Sequence, residues 1–179
     1  MDADESVTLE LQEEITRIIN SSPLNNGYWI PRKNYFLNHW MEKGGQYPDQ
    51  VIRLFRKGKG KFPCKSVHEQ IKIDGSVGIL RKPLIHLAFP TYDEYLRKLE
   101  TYTNLRKEEI KKQIQRPSLF HNVRYLLFSP LKIFYSRFLR HKGFMDGLPG
   151  FIYAASSGYQ EMVAYGKFWT EASYANVHK

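Results

Sequence analysis

The chain has 179 residues, with 27 Lys and Arg against 18 Asp and Glu, a net charge of +9 and one cysteine, Cys64. That length suits one domain with a sizeable core, and 15% aromatic residues with an ordinary charged fraction exclude a disordered chain. A single thiol excludes an internal disulfide and fits a reducing compartment, while no run approaches the roughly 18 apolar residues of a spanning helix. The acidic first residues do not read as a secretory signal. The basic excess implies an anionic partner: nucleic acid, an anionic membrane, or phosphorylated substrates.

The chain opens on Asp2-Ala3-Asp4. If Ala3 ends a strand, the period of two places Asp2 and Asp4 on one face. Two carboxylates there can hold a divalent cation that takes its other ligands from water and substrate phosphates. The same acids also read as a cluster capping the next helix. Thr8 to Asn20 is predicted helical, with Thr8 as N-cap, Glu10 in the first turn and an apolar stripe of Leu11, Ile15, Ile18 and Ile19. Ser21-Ser22-Pro23 stops it, and Asn25-Asn26-Gly27 turns. Tyr28-Trp29-Ile30 reads as a strand with Pro31 at its edge or end, flanked by Arg32 and Lys33. Val51 to Phe55 is a second strand. The basic loop Arg56 to Lys61 lacks the spacing of a phosphate-binding loop and reads equally as a solvated turn or a diphosphate contact. Ile71 and Ile73, then Asp74-Gly75, then Val77 and Ile79 read as a hairpin, and Leu84 to Leu87 as a further strand. Cys64 beside Pro63 reads as a structural thiol.

Thr91 and Glu94 form a capping-box signature for a helix running to about Ile114, with Tyr95, Leu96, Leu99 and Tyr102 on one face. Lys111 to Lys142 carries eight Lys or Arg and no acid, interleaved with aromatic and aliphatic residues and divided by Pro117 and Pro130 into short helices. Such a basic amphipathic stretch reads as a membrane-surface segment, against a core helix with a solvated basic face or a nucleic-acid patch. A glycine-rich turn, Gly143 to Gly150, precedes a last helix of about Phe151 to Tyr174. Two regions result: residues 1–90, short strands and one helix, and residues 91–179, helical, basic and aromatic.

Seven blocks in order carry a resemblance: Asp2-Ala3-Asp4-Glu5, Tyr28 to Phe36, Ile52 to Gly60, Val67-His68-Glu69, Pro83 to His86, Asp93 to Lys98 and Gly143 to Gly147. Together they resemble the bacterial family 2 glycosyltransferases, in particular the lipopolysaccharide-core and cell-surface-glycan glucosyltransferases. The resemblance implies an α/β fold (α+β in this fragment): an incomplete GT-A half with short strands, then a helical, amphipathic C-terminal region. Members of that family carry a mononucleotide-binding half ahead of the Asp-x-Asp pair. The chain is therefore expected to be the C-terminal part of such an enzyme, through either a late-assigned start or a true truncation.

The implied reaction transfers a sugar from a nucleotide-sugar donor, expected to be a UDP-sugar, to a lipid-linked or cell-surface glycan acceptor with inversion. Manganese or magnesium is the implied metal, on Asp2 and Asp4, with His86 as a further ligand or else a core histidine. Glu69 is the expected base, and His68 orients it or meets the diphosphate. Arg53, Arg56 and Lys59 are expected on the donor phosphates, unless they face solvent. The implied location is cytoplasmic, peripheral on the inner face of the cytoplasmic membrane. The alternative is a non-catalytic, membrane-associated or partner-dependent module. No nucleic acid is expected, because no recognisable binding module is present.

Overall fold

The computed structural model describes residues 1–21, 24–62 and 71–177. Two compact units make up the chain: Met1–Tyr35 with Gln46–Ala88, and Phe36–Gly45 with Phe89–Lys179. The strands in chain order are β1 (Glu5–Val7), β2 (Gly27–Phe36), β3 (His39–Trp40), β4 (Asp49–Phe55), β5 (Gly60–Lys61), β6 (Lys72–Ile73), β7 (Val77–Ile79) and β8 (Leu84–Phe89). The α-helices are α1 (Leu9–Asn20), α2 (Tyr92–Gln113), α3 (Leu119–Val123), α4 (Ser129–Phe134) and α5 (Gly147–Val177). Sheet and helix are thus both present, as the α/β reading requires.

In the first unit β8 lies between β1 and β2, and β2 also pairs β4 antiparallel and β7 parallel. Helix α1 begins where Thr8 accepts a hydrogen bond from the Leu11 N–H at 3.2 Å, satisfying a donor that the first turn leaves unpaired. Glu10 in the first turn and Arg17 in the last complement the helix dipole. Leu11 is fully buried against Tyr28, Ile30, Val51, Leu80 and Leu84, with Ile15 and Ile18 beside it. Burial of a leucine on this scale stabilises by about 2 kcal/mol. Ile19 leaves the expected stripe and is exposed; at 100° per residue it lies about 80° round the helix from Leu11. Ser21 closes the helix through its N–H to the Arg17 and Ile18 carbonyls. Ser22 and Pro23 lie outside the described residues, as does Cys64.

Two strand expectations are corrected. Strand β2 does not stop at Pro31 but continues to Phe36. Pro31 falls opposite Gln50, one pair before the β2–β4 ladder ends at Arg32 and Asp49, so its missing donor sits at the margin of that ladder. Nor do the segments around Asp74-Gly75 form a hairpin: β6 pairs β5, whereas β7 pairs β2 in parallel. Asn26 decides this. Its side chain donates to the Asp74 carbonyl at 2.7 Å and its N–H to the Ser76 carbonyl at 2.8 Å, which directs the chain after the turn towards β2. Gly75 permits the turn with φ +108°, a conformation that a side chain disfavours.

The second unit is helical. Thr91 caps α2 by accepting from the Glu94 N–H at 3.2 Å. Tyr95 is buried with Phe36 and Met41, alongside Phe89, Leu99 and Tyr153. Leu96, expected on the same face, is exposed. A second cluster joins Ile110 and Ile114 to Tyr125, Ala164, Tyr165 and Phe168, with Tyr125 and Tyr165 stacked at 4.9 Å. Pro130 does not divide the basic stretch. Residues 119–140 are helical throughout, with π-helical turns at Arg124–Phe128 and Tyr135–Arg140. Pro130 has no N–H to give, and the wide turn immediately before it absorbs that loss. The last helix starts earlier than expected, at Gly147, since Pro149 is tolerated in a first turn. A Cβ on Gly158 would lie 2.9 Å from the Pro130 carbonyl oxygen, so α4 and α5 approach closely only because that residue is glycine. Asp146 is buried and accepts from the N–H groups of Glu42 and Lys43 at 3.2 and 2.9 Å. Among the described residues no helix is long and apolar enough to cross a membrane.

Candidate functional site

The acidic N-terminus belongs to the first unit and forms a turn that enters β1. The Glu5 N–H donates to the Asp2 carbonyl at 3.1 Å, and the Asp2 N–H donates to the Glu5 carboxylate at 3.1 Å. Ala3 is therefore in a turn and not at a strand end, so the expected period of two does not align Asp2 with Asp4. The two carboxylates part. Asp2 meets the Arg53 guanidinium at 2.5 Å, and Asp4 meets the His86 Nε2 at 3.5 Å.

Glu5 is the centre of the arrangement. Its side chain is fully buried, and it accepts from Arg53 Nε at 2.8 Å and Nη2 at 2.9 Å and from Arg32 Nη1 at 3.1 Å. Burial alone would raise its pKa. The Arg53 hydrogen bonds, the Asp2 N–H and Arg32 overcome that effect and hold it at about 2. The same hydrogen bonds to Glu5 raise the pKa of Arg53 against its own desolvation. Arg32 lies opposite Asp49 in the β2–β4 register and pairs with it at 2.6 Å. Asn34, two residues along on the same face of β2, donates to Asp49 at 2.9 Å and to the Gln46 carbonyl at 3.2 Å.

His86 stands on β8 directly across from Glu5 on β1. Its Nδ1 is 2.6 Å from Asn34 Oδ1. The Asn34 amide nitrogen donates to Gln46 and Asp49, so its oxygen accepts here and the His86 proton sits on Nδ1. Burial pushes the His86 pKa down, helped by Arg32 and opposed by Asp4 and Glu5, which favours the neutral ring. With Nδ1 on Asn34, the Nε2 of the ring faces the Asp4 carboxylate. At 3.5 Å a proton on Nε2 joins the two groups, and a cation could take its place. An imidazole oriented by an amide oxygen on its far side is also the usual support of a metal-ligating histidine. Asp4 and His86 therefore fit an ion as a two-residue donor set. No group of three or more His, Cys, Asp or Glu able to hold a metal occurs among the described residues. Further ligands would come from Asp2, once Arg53 gave it up, or from substrate oxygens.

Of the residues singled out in the sequence, Asp2, Asp4, Arg53 and His86 thus gather at one end of the β1–β8 pair. Arg56 is exposed in the loop after β4, where its N–H donates to the Asn26 carbonyl. In that loop Lys59 pairs with Asp74 at 2.8 Å. His68 and Glu69 lie outside the described residues. Glu5, Asn34 and Asp49 carry no catalytic or ligand signature in the sequence, and Arg32 reads there only as a basic group beside a strand. Their signal was present: Arg32 and Asn34 interrupt the alternation that buries Tyr28, Ile30 and Phe36. Polar residues on a buried strand face require partners.

No family model matches the chain, and no solved structure does. The chain is similar to the lipopolysaccharide core biosynthesis glycosyltransferase LpsC of Rhizobium meliloti (strain 1021), with 27% identity over 176 residues. That alignment takes in 94% of this chain and 62% of LpsC, so the chain spans about three-fifths of the length of this curated relative.

Proposed function

We propose that the chain is the metal- and acceptor-side part of a glycosyltransferase of family 2, moving a sugar from a nucleotide-sugar donor to a lipid-linked or cell-surface glycan with inversion. The observation that carries this reading is the Asp4–His86 pair, backed by Asn34 and set beside the Arg32 and Arg53 guanidinium groups. Anionic and neutral donors next to two fixed cations suit a metal-bound diphosphate. Asp4 and His86 would hold manganese or magnesium, and Asp2 would join them on leaving Arg53. Bound there, the ion would stabilise charge on the departing nucleoside diphosphate. Arg53, released from Asp2, keeps Glu5 and turns its free N–H groups to a phosphate oxygen. Asn34 holds the His86 tautomer with its lone pair outward. Glu69, with His68 beside it in sequence, is the proposed base. It takes the proton of the acceptor hydroxyl as that oxygen bonds the anomeric carbon and the bond to the diphosphate breaks. Similarity to LpsC supports sugar transfer in lipopolysaccharide core biosynthesis as the setting.

The test is binding of UDP-glucose to the whole chain by titration calorimetry, with manganese and with chelator. Manganese-dependent binding that weakens at least about tenfold in Asp4→Asn and in His86→Ala is expected. Binding indifferent to chelator and to both substitutions, or no binding of manganese together with UDP or pyrophosphate (probes of the metal side alone), would sink the reading in favour of a non-catalytic module.

A further inference from the structure

In the second unit the helical run 119–140 leaves a large apolar face uncovered. Leu119, Val123, Leu127, Leu131, Tyr135 and Leu139 are all exposed, and each follows the last by four residues. In a regular α-helix a four-residue repeat overshoots the 3.6-residue turn and drifts round the axis. The two π-helical segments, Arg124–Phe128 and Tyr135–Arg140, hold more residues per turn and take the drift back out. The stripe therefore stays near one line along the run. Phe120 and Phe128 stand beside it, 68% and 63% exposed. Aromatic and leucine side chains this open and this contiguous are not the scattered apolar residues of an ordinary surface.

Within the stripe's own segment the charge is of one sign. Arg116, Arg124, Lys132, Arg140 and Lys142 are exposed, and the sequence from Lys111 to Lys142 contains no Asp or Glu. Asp146, the next acid, is buried on the Glu42 and Lys43 N–H groups. An apolar stripe whose own segment carries only cations matches a surface with an apolar interior and anionic headgroups. Since no described helix is able to cross a membrane, the fitting mode is a helix lying along the bilayer plane. We infer that residues 119–140 form an in-plane anchor for an anionic lipid bilayer, with Leu119, Phe120, Phe128 and Leu131 inserted and Arg124, Lys132 and Arg140 on the headgroups.

The inference is independent of the sugar-transfer reading and is tested without any activity measurement. The probe is flotation of the whole chain with vesicles of phosphatidylcholine containing about a third phosphatidylglycerol, against pure phosphatidylcholine. Binding to the anionic vesicles, weakened by salt, is expected. Phe128→Glu with Leu131→Glu should reduce it at least about tenfold, and Lys132→Glu with Arg140→Glu should do the same. Leu24→Glu, at an exposed leucine of the first unit, should leave it unchanged. Circular dichroism distinguishes a folded variant from a collapsed one, and the positions named are exposed, so folding is expected to persist. Equal binding to neutral vesicles, equal binding by the Phe128→Glu, Leu131→Glu variant, or no vesicle binding would each overturn the anchor. So would a dimer that forms without lipid and is dissolved by that variant, since the face would then be covered by a second copy.

Discussion

Glu5 is a fully buried carboxylate with two guanidinium groups on it, so its ionisation is tied to folding. Its pKa is about 2 in the fold against the ordinary value of 4.5. A depressed carboxyl contributes stability that is complete above the unfolded value and disappears as pH falls through the folded one. The window is therefore pH 4.5 down to about 2, and the contribution is about 3 kcal/mol. Urea unfolding at about pH 6 and about pH 3 should show the wild type losing much of this, whereas Glu5→Gln starts lower and changes less between the two. Parallel pH profiles for the two chains would mean that Glu5 does not carry the acid sensitivity. The strained turn at Gly75 gives a second expectation. Gly75→Ala both forces a side chain to φ +108° and drives a methyl into the Asn26 amide, whose bond to Asp74 directs β7. A loss of about 1–3 kcal/mol in urea unfolding is expected, and no loss would show that Asn26 yields freely.

Between elements, the pairing that stands out is Arg106 of α2 on Glu161 of α5, two parallel bonds of 2.8 Å to a carboxylate that is 8% exposed. Removing one partner leaves the other desolvated, so Arg106→Met or Glu161→Leu alone should destabilise by about 3 kcal/mol, while the two together should recover most of it. Thermal unfolding of the four chains of that cycle is the measurement, and additive losses would deny the coupling. What the sequence made legible at this scale follows from range. Thr8 and Thr91 announce their helices because a cap bonds a group three residues away. Strand partners are set by distant residues: Asn26 separates β6 from β7 across nearly fifty positions, and no local pattern at Asp74-Gly75 reveals it. The candidate site divides likewise. Asp2, Asp4 and His86 were legible as residue types able to ligate, but Glu5 becomes its centre only when β1 meets β8 and β4 supplies Arg53. The π turns around Pro130 were not legible, because a proline reads as a break unless the neighbouring ladder widens to admit it.

At the scale of the whole chain, the compact units are not continuous in sequence. Residues Phe36–Gly45 leave the first unit after β2 and belong with the helices that begin at α2. Their apolar side chains show why. Phe36 and Met41 are 2% and 1% exposed and pack with Tyr95, Leu99, Ile152 and Tyr153, all far downstream. Phe36 alone makes edge-to-face contacts with Phe89, Tyr95 and Tyr153 at 6.1, 5.5 and 5.4 Å. A chain ending at Pro90 keeps α1 and the Leu11, Ile30 and Leu84 core but strips these partners from Phe36 and Met41. Each side chain so exposed forfeits about 2 kcal/mol of burial, a large share of the marginal stability of a small domain. Residues 1–90 alone should therefore bind anilinonaphthalene sulfonate and unfold with little cooperativity. Phe36→Ser with Met41→Ser in that fragment should suppress the dye binding, because the exposed surface is removed. A fragment that melts sharply and binds no dye would show instead that residues 1–90 stand without those aromatic partners.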